Sequence, residues 1–386
     1  MPVISRSISS QSRVLAVAAC AAALCPAPLA LADMLTPLGV FSGGANSIGY
    51  GVSSTSTSVV GYSNSSSGDR AFVWTAAGGL QSLGTLSGGS SSYALAISLD
   101  GSVVVGRGGT NGTSAQRAFR WTSSGGFQNL GVLSGGTDSY AYDVSGDGST
   151  VVGNSGSSGG MRAFRWTASG GMQSLGVLGT GASSYAYGAN SDGTVIVGQS
   201  NNGTAARAFR WTAAGGMQDL GAVAGAPSWG VSVANAVNAD GSVVVGLSNT
   251  GVSSGMAMRW TAAGGMENLG GLAGHTNSQA HAVSADGSII AGSSGGGGDM
   301  RACVWTSAYG AINLQDHLAA NGVSLAGWTR LTSATAISAD GLTITGYGEY
   351  AGANLGFVVQ LGSPIPAPGA LGLLGLAGLA ARRRRR

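Results

Sequence analysis

Histidine is where a search for acid–base or metal chemistry begins, and the 386-residue sequence has three, His275, His281 and His317. His275 and His281 flank the entry to one strand-like segment. No cysteine or acidic cluster stands around them at metal-ligand spacing, so they read as loop or surface residues. Aspartate recurs in Asp-Gly pairs at Asp100, Asp147, Asp192, Asp240, Asp286 and Asp340. A calcium loop needs a run of alternating oxygen ligands that these segments lack. Asp-Gly is foremost a hairpin turn whose two central residues both take positive φ. No Gly-x-Ser-x-Gly elbow, phosphate loop or carboxylate pair rises above the background. The sequence therefore predicts no catalytic, metal-binding or cofactor-binding residues, and a protein that is not an enzyme. Binding chemistry is left to aromatic side chains. Tyr93, Tyr140 and Tyr185 each precede an Asp-Gly aspartate by seven residues, where the chain is expected to cross between repeats along one rim. With Trp229 they form the candidate ligand surface: packing is one use for such rings, and stacking on a glycan is the other.

The elements that must position these residues follow from a repeat. Trp-Thr recurs at Trp74, Trp121, Trp166, Trp211, Trp260 and Trp305, at intervals of 45 to 49 residues. The six Asp-Gly turns and a worn copy, Ser58-Val59-Val60-Gly61, bring the count of units to seven. One unit reads as four strands: Ala141 to Ser145, then Thr150 to Gly153 after the Asp-Gly turn, Arg162 to Thr167, and Met172 to Val177 after Gly170-Gly171. Four short antiparallel strands in about 45 residues is the size of a propeller blade, and a parallel β-helix would use about half that length per coil. The last unit stops at its third strand, Gly356 to Leu361, while Leu35 to Val40 matches a fourth strand with no blade before it. The expected fold is an all-β, seven-bladed β-propeller whose N-terminal strand completes the last blade and so hides the edges of an open array.

Phe and Trp of the third strands, such as Phe164 and Trp166, share one face by period-two alternation and are expected to pack between blades. Arg70, Arg117, Arg162, Arg207 and Arg301 each precede a Trp by four residues and are expected to pair with a nearby acid or carbonyl. Asn313 to Ser333 interrupts the pattern between the sixth and seventh blades. Leu314 to Ala320 suits a short helix ended by Asn321-Gly322, and the segment, with Asp316, His317, Trp328 and Arg330, is either a ring-closing insert or a ligand loop.

The termini and the charge bound the setting. Residues 1–32 carry Arg6 and Arg13, an apolar run from Val14 to Leu24 and Ala30-Leu31-Ala32, which fits a secretory signal peptide. Cys20 and Cys25 would leave with it, so Cys303 remains alone and no intramolecular disulfide forms. All 18 basic residues are arginine, and seven of them lie in the termini. Residues 33–362 then hold 11 arginines against 15 acids, a net charge near −4 that argues against a nucleic-acid partner. In residues 363–386 a Pro-Ile-Pro-Ala-Pro stretch with Pro364, Pro366 and Pro368 leads into an apolar segment and a terminal arginine cluster that begins Arg382-Arg383. As a helix, the 15 residues from Ala367 to Ala381 reach about 22 Å, short of a roughly 30 Å hydrocarbon core. That suits a transient stop at the inner membrane better than a permanent anchor.

Units like Arg162-Ala163-Phe164-Arg165-Trp166-Thr167, alternating with units like Ala239-Asp240-Gly241-Ser242-Val243-Val244-Val245-Gly246, resemble the bacterial HAF family of extracellular repeats over about Leu35 to Leu361. Arginine stands where that family's named histidine would be. The tail resembles a PEP-CTERM sorting signal, with Ala367 in the place of the usual glutamate. The first resemblance implies secretion or surface display with no reaction attached, and the second implies recognition at the inner membrane by an exosortase-like processing enzyme after signal peptidase has acted. The expected protein is a non-catalytic secreted or cell-surface module of the envelope or extracellular matrix; the alternative is exopolysaccharide binding by rim aromatics, and a polysaccharide-acting enzyme is the third class.

Overall fold

The computed structural model describes residues 33–54, 58–110, 115–249, 255–306 and 310–365. The signal-like residues 1–32 and the tail from Pro366, with Pro368, Arg382 and Arg383, lie outside the described residues. Over the described residues the chain forms seven four-stranded antiparallel sheets in a ring, a seven-bladed β-propeller. In blade 3 the strands are Ser139–Val144, Thr150–Ser155, Arg162–Thr167 and Gly171–Ser174, in that order from the axis outward. The first strands of successive blades touch one another around the axis.

Closure is by the N-terminal strand. Met34–Pro37 pairs antiparallel with Ala353–Gln360, setting Leu35 opposite Val359. Leu38 then buries its side chain between this blade and blade 1. Asp33 accepts the Gly362 N–H at 2.8 Å, and Ile365 is buried in the core of the last blade. A second closure runs through the turns at one end of the channel. Ser54 N–H donates to Leu99 O, Leu99 N–H to Gly146 O, Asp147 N–H to Ser191 O, and so on through Ala239, Ala285 and Ala339, at 2.9 to 3.2 Å. The Ala339 N–H donates to Ser54 Oγ at 2.8 Å, which completes the circle.

The repeated residues are those that fix one blade on the next. The first residue of most inner strands is a buried serine: Ser139 Oγ accepts the Ala118 N–H of blade 2 at 2.9 Å and donates to Gly131 O at 2.6 Å. Ser92, Ser184 and Ser278 repeat this arrangement. Arg70, Arg117, Arg162 and Arg207 donate to carbonyls of the following crossing loop, as Arg162 does to Ala182 O at 2.7 Å, while Arg301 pairs with Asp299 at 2.8 Å. Phe164 and Trp166 are buried against Val103 and Val105 of the preceding blade. Both sequence expectations, inter-blade aromatics and structural arginines, hold.

The Asp-Gly turns differ from expectation. Gly148 carries φ +72° but Asp147 does not share the positive φ. The turn runs Ser145–Gly148, closed by Gly148 N–H to Ser145 O at 2.8 Å, and the strands meet at Ser145 N–H to Thr150 O at 2.8 Å, so Gly146 and Asp147 are the central residues, the loop is longer than a two-residue hairpin, and Gly148 takes the left-handed region. The aspartate is consumed locally: Asp147 accepts Ser149 N–H and Ser145 Oγ–H at 2.9 and 2.5 Å. Equivalent bonds, led by the Ser98 hydroxyl, hold the Asp100 carboxyl below its usual range.

The insert is structural. Leu314–Ala320 is a helix capped by Asn313, which accepts from Gln315 N–H at 3.0 Å, and Leu314 and Leu318 are fully buried beside Leu331 and Phe357. Trp328 and Arg330 lie in the first strand of the last blade, Trp328–Ile337, rather than in the insert; Arg330 is held by Glu349 and Gly298 O. Among the described residues no helix is long and apolar enough to cross a membrane.

Candidate binding site in the central channel

Every first strand carries a β-bulge at the same place. The pairing of first and second strands slips between Gly49 and Gly51, Ala94 and Ala96, Ala141 and Asp143, and at the matching points of the other four blades. A bulge leaves one residue unpaired and re-aims it. The seven residues are Tyr50, Leu95, Tyr142, Tyr187, Asn235, His281 and Thr335, and all seven line the channel. The bulge exists because the second strands approach unusually closely through Gly61, Gly106, Gly153, Gly198, Gly246, Gly292 and Gly346. A Cβ at any of them would stand 1.9 to 2.0 Å from a first-strand carbonyl oxygen.

At the end where the crossing loops enter, the channel opens into a cavity of about 760 Å³. Tyr50, Tyr140, Tyr142 and Tyr187 line its wall, and a run of ring contacts across blades 1 to 4 ties them to Tyr62, Tyr93 and Tyr185, which lie behind that wall. Tyr50 stacks on Tyr62 at 6.1 Å between centroids, and Tyr62 meets Tyr93 edge-on at 4.9 Å. The Arg107 guanidinium lies 4.5 Å from the Tyr93 ring and 5.5 Å from the Tyr140 ring. Tyr140 stacks on Tyr142, Tyr142 meets Tyr187 at 5.3 Å, and Tyr187 stacks on Tyr185. With Tyr347 on the same cavity wall, eight of the ten tyrosines of the chain gather here. Burial pushes the Tyr50 hydroxyl up to about 12, and burial with the 2.6 Å bond to Asp69 does the same for Tyr93. Both of these hydroxyls therefore stay protonated, that of Tyr93 with its donor given to Asp69.

Tyr93, Tyr140 and Tyr185 thus sit together, each as the second residue of a first strand rather than on the crossings themselves. Trp229 is separate: it lies in the crossing loop from blade 4 to blade 5, on the same face, 55% exposed and outside the tyrosine chain. His281 is a correction, being a channel residue rather than a surface one. Its Nε2 lies 3.2 Å from Ser293 Oγ, and burial lowers its pKa to about 4, so the ring is neutral. His275 does lie in a loop but is largely enclosed, 3.1 Å from Ser294 Oγ and 3.3 Å from Asp299.

Sequence reasoning missed Arg107, Tyr50, Tyr62, Tyr142, Tyr187, Tyr347 and Asp143. A signal was there: the channel positions are those at which the seven copies disagree. Asp143 stands where the other blades have Gly51, Ala96, Gly188, Ala236, Ala282 and Ala336. Its oxygens accept Val144 N–H at 2.8 Å and, across to blade 4, Ala189 N–H at 2.9 Å. Burial nevertheless raises its pKa to about 7, although part of its surface faces the channel.

No protein-family model matches the chain, and no curated protein matches it. Among solved structures it is similar to an oligogalacturonate lyase from Vibrio parahaemolyticus, at 11% identity over 84% of this chain and 93% of that one, with a TM-score of 0.55. A prolyl endopeptidase matches at 10% identity over 84% of this chain and 51% of that one, TM-score 0.51. TolB from Acinetobacter baumannii matches at 13% over 70% of this chain, TM-score 0.44, and the chain spans 62% of that protein's length. At such identities the likeness is one of fold, and it defines the class: a β-propeller.

Proposed function

We propose that this protein is an exported, non-catalytic binding module of the cell envelope or extracellular matrix, and that it takes a glycan chain at the tyrosine-lined mouth of its channel. The observation that carries this reading is the run of contacts from Tyr50 to Tyr185, joined in the middle by Arg107, of which Tyr50, Arg107, Tyr140, Tyr142 and Tyr187 line an open cavity of about 760 Å³. Tyrosine offers a sugar both an apolar face and a hydroxyl at the ring edge. The structural residues repeat from blade to blade while the channel residues do not, as expected when the first set holds the ring and the second meets something asymmetric. A non-catalytic role is supported by Asp143, whose two oxygens each accept a backbone N–H. The signal-like and sorting-like termini support export, with processing by signal peptidase and an exosortase-like enzyme and transient inner-membrane attachment through the tail.

The test is a glycan array probed with the protein and with Tyr140→Ala and Tyr142→Ala. Loss of binding in both variants is expected; binding that survives both substitutions removes the channel mouth as the site. Release of shorter fragments from a bound oligosaccharide, abolished by Asp143→Asn, would instead show an enzyme. Cell fractionation with mass analysis of both termini tests the export reading, which fails if the protein keeps Met1 and Arg386.

A further inference from the structure

We infer that Arg107 makes the channel mouth an anion-selecting subsite, and that the preferred ligand is an acidic saccharide bearing carboxylates. This rests on the reading of the mouth as a glycan site and adds the charge of the ligand. Of the fifteen side chains lining the cavity, Arg107 is the one that carries a charge at neutral pH, since His281 is neutral there. It projects from the second strand of blade 2, Val104–Gly109, where the sister strands place Tyr62, Asn154, Gln199, Leu247, Ser293 and Tyr347. No structural duty of the repeat calls for a cation at that position.

The other channel-side and blade-side arginines show what a structural arginine looks like here. Arg70, Arg117, Arg162 and Arg207 bond to loop carbonyls, and Arg259, Arg301 and Arg330 pair with carboxylates. Arg107 has no ion pair among the described residues. The nearby Asp69 holds the Tyr93 hydroxyl at 2.6 Å. What supports Arg107 is aromatic: rings of Tyr93 and Tyr140 lie against its planar guanidinium. Among the described residues the guanidinium makes these ring contacts and no hydrogen bond or ion pair, so its N–H donors are open to a ligand. A guanidinium edge matches a carboxylate through two parallel hydrogen bonds. Tyr140 and Tyr142, which line the cavity beside it, offer sugar rings a surface. The body of the domain is net negative, with 11 arginines against 15 acids between Asp33 and Ser363, so a lone cation in the mouth distinguishes this cavity from the rest of the surface.

The experiment is an array of oligosaccharides in pairs, each acidic chain beside its carboxyl-reduced counterpart, with the β-1,4-linked glucuronic acid hexamer and cellohexaose as the reference pair. The full-length protein, Arg107→Gln and Arg107→Lys are compared, with thermal melting to show that each variant is folded. The expected result is binding of acidic members about tenfold or more tighter than their reduced partners, an advantage that shrinks with added salt. Arg107→Gln should abolish the advantage while leaving the reduced partners' affinity in place, and Arg107→Lys should restore only part of it, because an ammonium lacks the two-pronged geometry. Equal binding of acidic and reduced partners, or an undiminished advantage in Arg107→Gln, overturns the charge assignment and leaves the glycan reading standing. Binding to neither member of any pair overturns both.

Discussion

Replacing Gly198 by alanine would put a methyl group where a backbone oxygen already stands. The added Cβ falls 1.9 Å from Tyr185 O and 2.9 Å from Ala186 Cα, whereas carbon and oxygen in contact sit more than 3 Å apart. The first and second strands of blade 4 must therefore part by more than 1 Å at the Ala186–Gly198 pair. The obstacle is main chain, so no side-chain rotation relieves it. Parting the strands forfeits about two ladder hydrogen bonds, each worth about 1 kcal/mol, and adds overpacking strain of about 1–3 kcal/mol. The sum is about 3–5 kcal/mol. With an unfolding entropy of about 2.1 cal/mol/K per residue over roughly 330 residues, each kcal/mol lowers Tm by about 1.4 °C, and the expected drop is about 4–7 °C by calorimetry. Gly171→Ala is the control: its φ is +62° but nothing lies within 4 Å of the added Cβ, so only left-handed strain of about 1–2 kcal/mol applies. If Gly198→Ala melts no lower than Gly171→Ala, the close approach that creates the bulge, and with it the placement of Tyr187 in the channel, is refuted.

Three further outcomes follow from the same geometry. Ser139→Ala leaves the buried Ala118 N–H and the Gly131 carbonyl without their shared partner and should cost about 2–3 kcal/mol in urea unfolding; a neutral result would mean that the blades do not rely on this serine. Asp143 has a folded pKa of about 7 against an ordinary 3.8, so the folded state holds its proton longer than the unfolded one, and its contribution to stability falls as pH rises from about 4 to about 7. The stability of wild type relative to Asp143→Ala should decline across that window by up to about 4 kcal/mol, less what channel water screens; a difference that is flat in pH would show the carboxyl to be ionised throughout. Deleting residues 34–40 removes the strand paired with Ala353–Gln360 and the buried Leu38, which should expose the edge of the last blade and produce aggregation in light scattering; a deletion that stays monomeric and equally stable would argue against closure by this strand.

What was legible in the sequence is what the ring repeats. Trp166, Phe164, Arg162 and Asp147 recur because each blade packs on the next in the same way, and a local contact made in blade after blade leaves a period that can be counted. The displaced strand near Leu35 was readable for the same reason, as a missing member of that count. Less was visible where one residue of backbone geometry decides the outcome. The turn at Ser145–Gly148 centres on Gly146-Asp147 rather than on Asp-Gly, because the serine hydroxyl and the aspartate share the work of closing the loop.

The sequence by itself determined the blade number, the closing strand and the residues that lock blade to blade, since each acts on neighbours at a fixed offset along the chain. Tertiary structure alone decided the candidate site. Tyr50 and Tyr187 are 137 positions apart, and nothing local aims either of them inward. The bulge forced by Gly61 and Gly198 turns them toward the axis, and the circular arrangement then sets on one wall residues that no repeat unit holds together. Arg107 gains its meaning there as well: in the sequence it is one arginine among 18, and in the ring it is the lone charge on the wall of the channel mouth.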